Sequence, residues 1–121
     1  MIFIDLYSRT PIYEQIEEQI ISQINTGRLK QGNRLPSIRQ LASDLGLNVN
    51  TVKRAFSELE TKGVIVSYQG RGVFVGENAF KNDIVLTEAQ ESIIQAITSA
   101  KAKGMTKEEI NSILNNIFEG D

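Results

Sequence analysis

The side chains best suited to recognition chemistry lie between Arg28 and Arg71, and most of them are cations. This stretch contains eight Lys or Arg residues against three acids, a local net charge of +5, whereas residues 77–121 have a net charge of −4. The chain of 121 residues has an overall net charge of −2, but affinity for phosphate follows a local patch of charge. The pattern predicts an anion-binding surface in the middle of the chain, with a merely solvated surface as the alternative.

Catalytic and metal chemistry are not expected. The sequence contains no His and no Cys, so it lacks the usual acid–base side chain, the thiol nucleophile and the usual zinc ligands. No pair of carboxylates stands among apolar neighbours in a way that would indicate a raised pKa. We therefore predict no catalytic residues, no metal ion and no cofactor.

The sequence gives no indication of export or of membrane insertion. The absence of cysteine fits a reducing compartment. No apolar run approaches the roughly 20 residues that a membrane span needs, and the first residues lack the basic and apolar regions of a secretory signal. We expect a cytoplasmic protein without a membrane partner.

The first element that must support the basic surface is a helix predicted after Thr10. Thr10 is interpreted as its N-cap and Pro11 as its first residue. Isoleucines then recur every four residues, which predicts an amphipathic helix with one buried stripe. Acids and amides, among them Gln15 and Glu17, are predicted to lie on the opposite, polar face.

Two short helices follow, separated by a tight turn. Ser37 and Gln40 have the spacing of a capping box at the start of the second helix, and Gly46 supplies the turn. Asn48 caps the third helix, whose predicted inward residues are Val49, Val52, Ala55, Phe56 and Leu59. Helices this short and this close must cross steeply, which is the helix-turn-helix geometry, and such units place their second helix in the major groove of DNA.

An apolar hairpin is predicted next. Residues 64–68 and 73–75 are rich in β-forming side chains and flank a turn with the sequence QGRG, which is typical of a hairpin, or wing. The predicted fold class is mainly α with a small β-hairpin. A winged helix-turn-helix domain occupies residues 1–76 and is followed by a short two-helix C-terminal dimerisation tail.

The tail at residues 77–121 is predicted to hold a linker and two helices, which are capped by Thr87 and Thr106. These helices carry more apolar surface than they can hide against each other, so a partner subunit is the natural cover. The predicted dimerisation residues are Ile93, Ile94, Ile97, Ile110, Ile113, Leu114, Ile117 and Phe118. The tail is too small to enclose a metabolite site of roughly 300 Å³ or more, so we expect no such pocket within the chain. The sequence does not identify a small-molecule effector.

Five motifs, in order, resemble those of the GntR family of bacterial transcription regulators. They are PIYEQI at 11–16, GRLKQG at 27–32, RLPSIRQLA at 34–42, NTVKRAF at 50–56 and GRGVFV at 70–75. The early PIYEQI and residues 48–52 are similar to the YtrA-like subfamily, whose members carry only a short helical tail. The resemblance implies a winged-helix transcription regulator, a repressor that acts as a homodimer on an inverted-repeat operator in double-stranded DNA. The alternative is a winged helix that binds another protein and has no DNA-binding activity.

The resemblance also implies phosphate or base contacts at Arg39, Asn50, Thr51, Lys53 and the tip of the wing. Side-chain chemistry agrees, because Asn can bind an adenine edge and cations bind phosphate. Each position has an alternative as a helix cap, an ion-pair partner or a solvated side chain. The complete predicted DNA-binding set is Arg34, Ser37, Arg39, Asn48, Asn50, Thr51, Lys53, Arg54, Gly70, Arg71 and Gly72.

Val49 departs from the family pattern. Many relatives have at this position an Arg that reads guanine. Valine cannot form a bidentate hydrogen bond with guanine. The operator is therefore not expected to be the one common in the family.

Overall fold

Five helices and three short strands follow one another within residues 2–120, the part of the chain that this computed structural model describes. The outermost positions of the two predicted domains, Met1 and Asp121, lie outside the described residues. The elements are α1 (Ile12–Asn25), β1 (Arg34–Leu35), α2 (Ile38–Leu45), α3 (Val49–Thr61), β2 (Ile65–Tyr68), β3 (Gly72–Val75), α4 (Asp83–Ala102) and α5 (Lys107–Glu119). The chain divides after Asp83 into two compact units. The predicted mainly α, winged helix-turn-helix fold is confirmed.

Most helix starts follow from short polar residues in the sequence. The Ser37 hydroxyl oxygen accepts from the Gln40 backbone N–H at 3.1 Å, and Thr106 forms a reciprocal capping box at the start of α5. The prediction that Thr10 is the N-cap of α1, by contrast, is wrong. The cap position is held by Pro11, which has extended backbone and makes no side-chain cap bond, and the Thr10 carbonyl instead accepts from the Gln15 side-chain amide at 2.8 Å.

The start of α4 differs from the prediction. It begins at Asp83, about one helical turn before Thr87, so Thr87 lies inside the helix. The chain before it is fixed to the first unit, because the buried Asn82 side chain donates to the carbonyl oxygens of Lys62 and Asn78 at 2.9 and 2.8 Å. Ala79 is buried as well. The predicted linker is therefore partly helix and partly packed loop.

The wing has a third strand that the sequence did not reveal. The sheet is antiparallel with the order β1-β3-β2, and Arg34 pairs with Phe74 while Ile65 pairs with Val75. β1 has only two residues, which is too short for a period-two pattern to appear. Its pairing places Arg34 at the base of the wing.

The core of the first unit lies between α1, α2, α3 and the sheet. Its buried side chains include Ile16, Ile20, Ile24, Leu41, Val52, Ala55, Phe56, Leu59, Ile65 and Val75. The prediction that Val49 belongs to the core is wrong. Its side chain is 44% exposed at the first position of α3, and the buried residues of that helix begin only at Val52. No helix of residues 2–120 combines the length and apolar character needed to cross a bilayer.

Two polar residues of α1 are buried against expectation. Gln15 and Glu17 are 7% and 5% exposed. Gln15 is accommodated because its amide group pairs with the backbone of Asp5, accepting at 2.9 Å and donating at 3.0 Å. It thereby ties the N-terminal segment to α1, a role that helical periodicity cannot reveal.

Candidate nucleic-acid interface

The N-terminal half of α3 presents polar side chains to solvent. Val52, Phe56 and Leu59 hold one side of the helix in the core, so the opposite side lies on the surface. Asn50 and Lys53 are exposed there, three positions apart and thus neighbours on one face. Thr51 is half-buried beside them. The helix can therefore offer an amide and an ammonium group to one ligand surface.

Asn48 contributes first to local structure. Its side-chain oxygen accepts from the Asn50 backbone N–H at 2.8 Å, which satisfies one of the free N–H groups at the start of α3. Its amide nitrogen has no partner among the described residues, so it can still donate. The turn before it depends on Gly46, whose backbone is left-handed with φ 66°, a conformation that glycine adopts without strain.

The start of α2 forms a second polar surface. Ser37 uses an oxygen lone pair to cap the helix, and its hydroxyl proton remains able to donate. Arg39 is the exposed second residue of α2, and no acid stands in the first turn of that helix. Because the N-terminus of a helix is the positive end of its dipole, this end of α2 is suited to an anion.

The wing places three more predicted residues on the same unit. Gly70 and Arg71 are exposed at its tip, and the Arg71 backbone N–H donates to the Tyr68 carbonyl at 2.9 Å. Gly72 has φ 118°, and a Cβ atom there would lie 2.9 Å from Arg34 Nε. The structure therefore brings Arg34 against Gly72, which sequence distance does not suggest, and any side chain at Gly72 would displace that guanidinium.

Arg54 is held by a contact that sequence reasoning missed. Its guanidinium carbon lies 3.8 Å from the centre of the Tyr13 ring, its Nη2 donates to the Tyr13 hydroxyl oxygen at 3.2 Å, and its Nε is 3.9 Å from Glu58. Such stacking orients an arginine without burying it. Tyr13 lies beside the isoleucine stripe in the sequence of α1, and no local signal joins two residues 41 positions apart.

A buried acid lies behind this cluster. Glu17 of α1 faces Glu58 of α3 and Lys62, the residue that follows α3, and its Oε1 has no hydrogen-bond partner in the described part of the chain. Burial is the main cause that raises the pKa of Glu17 to about 7, and the nearby Glu58 carboxylate adds to it. Burial therefore favours the protonated, uncharged form of Glu17.

The second unit, taken by itself, exposes a large apolar surface. Ile93, Ile94 and Ile97 of α4 are 58%, 56% and 43% exposed. Ile110 is half-buried, whereas the other predicted tail residues of α5 are exposed, namely Ile113, Leu114, Ile117 and Phe118. An exposed apolar area of this extent is typical of an interaction surface.

Comparisons with known proteins agree with this geometry. The family described as "Bacterial regulatory proteins, gntR family" matches residues 12–75. The HTH-type transcriptional repressor YtrA of Bacillus subtilis (strain 168) is 40% identical over 120 residues, which cover 97% of this chain and 92% of that protein. The relatives carry the names of transcriptional proteins, not of enzymes.

Two solved structures extend the comparison. A transcriptional antiterminator from Listeria monocytogenes EGD-e is 34% identical, with a TM-score of 0.83 over 97% of this chain and 89% of that one. AraR(DBD) in complex with operator ORX1 is 31% identical, with a TM-score of 0.55 over 62% of this chain and 93% of that one. The first likeness extends over both units, and the second is to a protein solved on DNA.

Proposed function

Since the chain belongs to the gntR family of bacterial regulatory proteins, we propose that it is a transcription repressor that binds an inverted-repeat DNA operator as a homodimer. The observation that carries the proposal is the exposed polar end of α3 beside the basic start of α2 and the wing. AraR(DBD), which has a similar fold, was solved with an operator. Such a protein acts in the cytoplasm, the compartment that holds a bacterial chromosome.

The front of α3 reads the bases in this proposal. Asn50 lies on the exposed face and has the donor and acceptor pair that fits the adenine edge in the major groove. Val49, exposed at the first position of α3, offers only a methyl surface, which suits the methyl group of thymine. The half-site should therefore contain an A·T pair where many relatives require guanine.

The surrounding cations and hydroxyls position the protein on phosphates. Arg39 and Ser37 act from the start of α2, Lys53 from α3 and Arg71 from the wing, each an exposed donor. Arg54 is held in place by the Tyr13 ring, so that less side-chain entropy is lost when it binds a phosphate. We include Tyr13 in the interface for this reason.

A second copy of the chain covers the apolar tail in this proposal. The exposed isoleucines of α4 and α5 would pack against those of a partner around a two-fold axis, since most soluble oligomers are symmetric dimers. A two-fold dimer matches an inverted repeat, in which half-sites are about 34 Å or a multiple of it apart. The apolar surfaces of α4 and α5 in both chains would thereby be buried.

Arg39→Ala tests the proposed DNA surface. We expect operator affinity to fall about fivefold or more, because loss of such a contact typically costs about 1–3 kcal/mol, while the fold is unchanged. Fluorescence anisotropy on a duplex selected from random sequences measures this. Arg28→Ala is the control, since Arg28 is exposed outside α2, α3 and the wing. Equal affinities for Arg39→Ala and wild type would remove Arg39 from the interface. A wild-type chain that binds no duplex at low salt would favour the protein-binding alternative.

Asn50→Ala should change which sequences bind. The reason is that a lost base-edge contact relaxes preference at one position, whereas a lost phosphate contact weakens all sequences alike. Selection from random duplexes, run in parallel for variant and wild type, gives both consensus sequences. Recovery of the same consensus from both proteins would show that Asn50 does not read a base.

Lys53→Ala should instead change the response to salt. Each neutralised phosphate contributes about 0.9 to the slope of log affinity against log salt, so we expect the slope to become shallower by about one unit. Titrations at four or more salt concentrations measure it, with Asn50→Ala as the comparison that keeps its slope. A slope that is the same for Lys53→Ala and wild type would contradict a phosphate contact.

A further inference from the structure

Arg34 lies on the outer face of the wing, although it stands far from the hairpin in the sequence. It pairs with Phe74 across β1 and β3, and Tyr68 pairs with Gly72 across β2 and β3. Residues opposite each other in an antiparallel pair share a face, and every second residue of a strand returns to it. All four therefore lie on one face of the sheet. The other face is turned to the core, since its side chains are buried, namely Leu35, Ile65 and Val75.

The Arg34 guanidinium extends along this outer face towards the tip of the wing. A Cβ atom added at Gly72 would lie 2.9 Å from Arg34 Nε and 3.2 Å from Arg34 Nη2. Gly72 is the first residue of β3 after the turn, whereas Phe74, the partner of Arg34, lies farther from the turn. The missing side chain of Gly72 thus leaves the space that the guanidinium occupies.

Arg71 adds a second cation at the tip. It is exposed in the turn between β2 and β3, and with Tyr68 and Phe74 it lines an open cleft of about 470 Å³. The cleft exceeds the roughly 300 Å³ of a metabolite site, so the expectation that the chain holds no pocket of this size was wrong, because it considered only the tail. Neither arginine forms a salt bridge within residues 2–120. The tip therefore presents two guanidiniums without an ion-pair partner in this part of the chain.

The tip of the wing is also slim. Gly70 and Gly72 flank Arg71, and a Cβ atom at Gly70 would meet no other atom within 4 Å. The minor groove of B-DNA is about 6 Å wide, which leaves room for planar guanidinium groups but not for a helix. A guanidinium is more weakly hydrated than the ammonium of lysine, so it loses less on leaving water for a groove. A-tracts have a narrow minor groove with an enhanced negative potential that attracts such cations.

We propose that Arg34 and Arg71 enter the minor groove beside each half-site, so that the operator favours A-tract flanks, and that Gly72 positions Arg34 for this contact. The inference rests on the proposed function, in which α3 occupies the major groove. The wing belongs to the same unit and meets the minor groove that follows along the duplex. A-tracts are recognised here through the width and the potential of the groove, which is a form of indirect readout.

Duplexes that differ only in their flanks test this contact by fluorescence anisotropy. All contain the half-sites selected by the wild type, and the flanks are an A-tract, a G·C tract, or the G·C tract with inosine in place of guanine. Inosine lacks the amino group that guanine places in the minor groove, while its major-groove acceptors are those of guanine. We expect the wild type to bind the A-tract duplex about fivefold more tightly than the G·C duplex, as for one direct contact. The inosine duplex should bind nearly as tightly as the A-tract duplex.

Variants of the two arginines identify the groups responsible. Arg34→Gln should reduce the preference for the A-tract, and Arg34→Gln combined with Arg71→Gln should abolish it. Arg28→Gln is the matched control, since it removes an exposed arginine outside the sheet and should keep the full preference. A loss of affinity in Arg34→Gln that is equal for all three duplexes would overturn the proposal, because it would assign Arg34 to a phosphate. Wild-type binding of the inosine duplex as weak as that of the G·C duplex would overturn it as well.

Gly72→Ala tests the positioning role of the glycine. The new Cβ atom would displace the guanidinium, so the preference for the A-tract should fall to that of Arg34→Gln. Alanine is also strained at φ 118°. The substitution is therefore repeated in Arg34→Gln, where it should reduce the preference no further. The same reduction in both backgrounds would show that Gly72 does not position Arg34. The comparison of duplexes with Arg34→Gln does not require Gly72→Ala to fold.

Failure of this inference can be distinguished from failure of the proposed function. If selection and titration at low salt find no bound duplex, the repressor proposal fails, and the minor-groove contact fails with it. If the wild type binds its selected half-sites with equal affinity whatever the flanks, only the minor-groove contact fails and the repressor proposal stands.

Discussion

A chain that ends at Asp83 is expected to be a folded monomer that binds its operator about 10²–10⁴-fold more weakly than the full chain. The apolar faces of α4 and α5 would be gone, and with them the proposed subunit contact. The second half-site would then be bound as a separate event, without the high effective concentration that a tether provides. Affinity for a single half-site should be the same for both chains.

The position of the cut follows from packing. A cut after Gly76, the predicted domain boundary, would remove Ala79 and Asn82, which are buried against the first unit. It would also leave the Lys62 carbonyl without the Asn82 amide that donates to it. Ending the chain at Asp83 retains these contacts, so a loss of affinity reports on the tail and not on damage to the DNA-binding unit.

Light scattering and gel shifts on full and half operators measure the two parts of this prediction. Ile113→Glu in the full chain is the matched control, because it keeps the tail but places a charge in an exposed apolar face. We expect it to resemble the truncated chain in mass and affinity. A truncated chain that remains a dimer with full operator affinity would show that the tail does not mediate dimerisation.

The elements of this fold were largely predictable because their signals are local. Ser37, Asn48 and Thr106 mark helix starts within three residues of the groups they cap, and the isoleucine period defines α1. β1 was not predictable, because two residues show no pattern and their pairing with β3 is decided by the packed unit. The early start of α4 escaped prediction for a similar reason, since the contacts of Asn82 that fix it are made with another element.

The residues of the candidate interface were likewise predictable only where the signal in the sequence is local. Sequence reasoning could place Arg39, Asn50 and Lys53 at the exposed starts of two helices, because capping and helical spacing are local properties. It could not find the stacking of Tyr13 on Arg54 or the approach of Arg34 to Gly72, since these contacts join residues distant in sequence. The same limit applied to the acids. No local pair of carboxylates suggested a raised pKa, but folding places Glu17 of α1 near Glu58 of α3 and raises the pKa of Glu17.

The buried Glu17 carboxyl, with the Glu58 carboxylate near it, should make the stability of the fold depend on pH. Glu17 is 5% exposed and has a pKa raised from 4.5 to about 7 by burial and by the neighbouring Glu58 carboxylate. Lys62 opposes the shift, whereas Glu14 adds to it. A carboxyl with a raised pKa in the folded state favours folding while it is protonated. The free energy of unfolding should therefore decrease as pH rises from about 4.5 through about 7.

Glu17→Gln should remove this dependence, because an amide has a similar shape and never carries the charge. Each unit of pKa shift corresponds to about 1.4 kcal/mol, so a shift from 4.5 to about 7 should make the variant exceed wild type by about 3 kcal/mol above pH ~8 and approach it below pH ~5. Urea unfolding at one protein concentration measures this, since the stability of a dimer depends on concentration. Glu18→Gln is the control, because Glu18 is the exposed neighbour of Glu17 on α1 and should unfold as wild type does. Parallel pH curves for Glu17→Gln and wild type would mean that Glu17 remains ionised in the fold, with Lys62 outweighing the burial and the repulsion from Glu58.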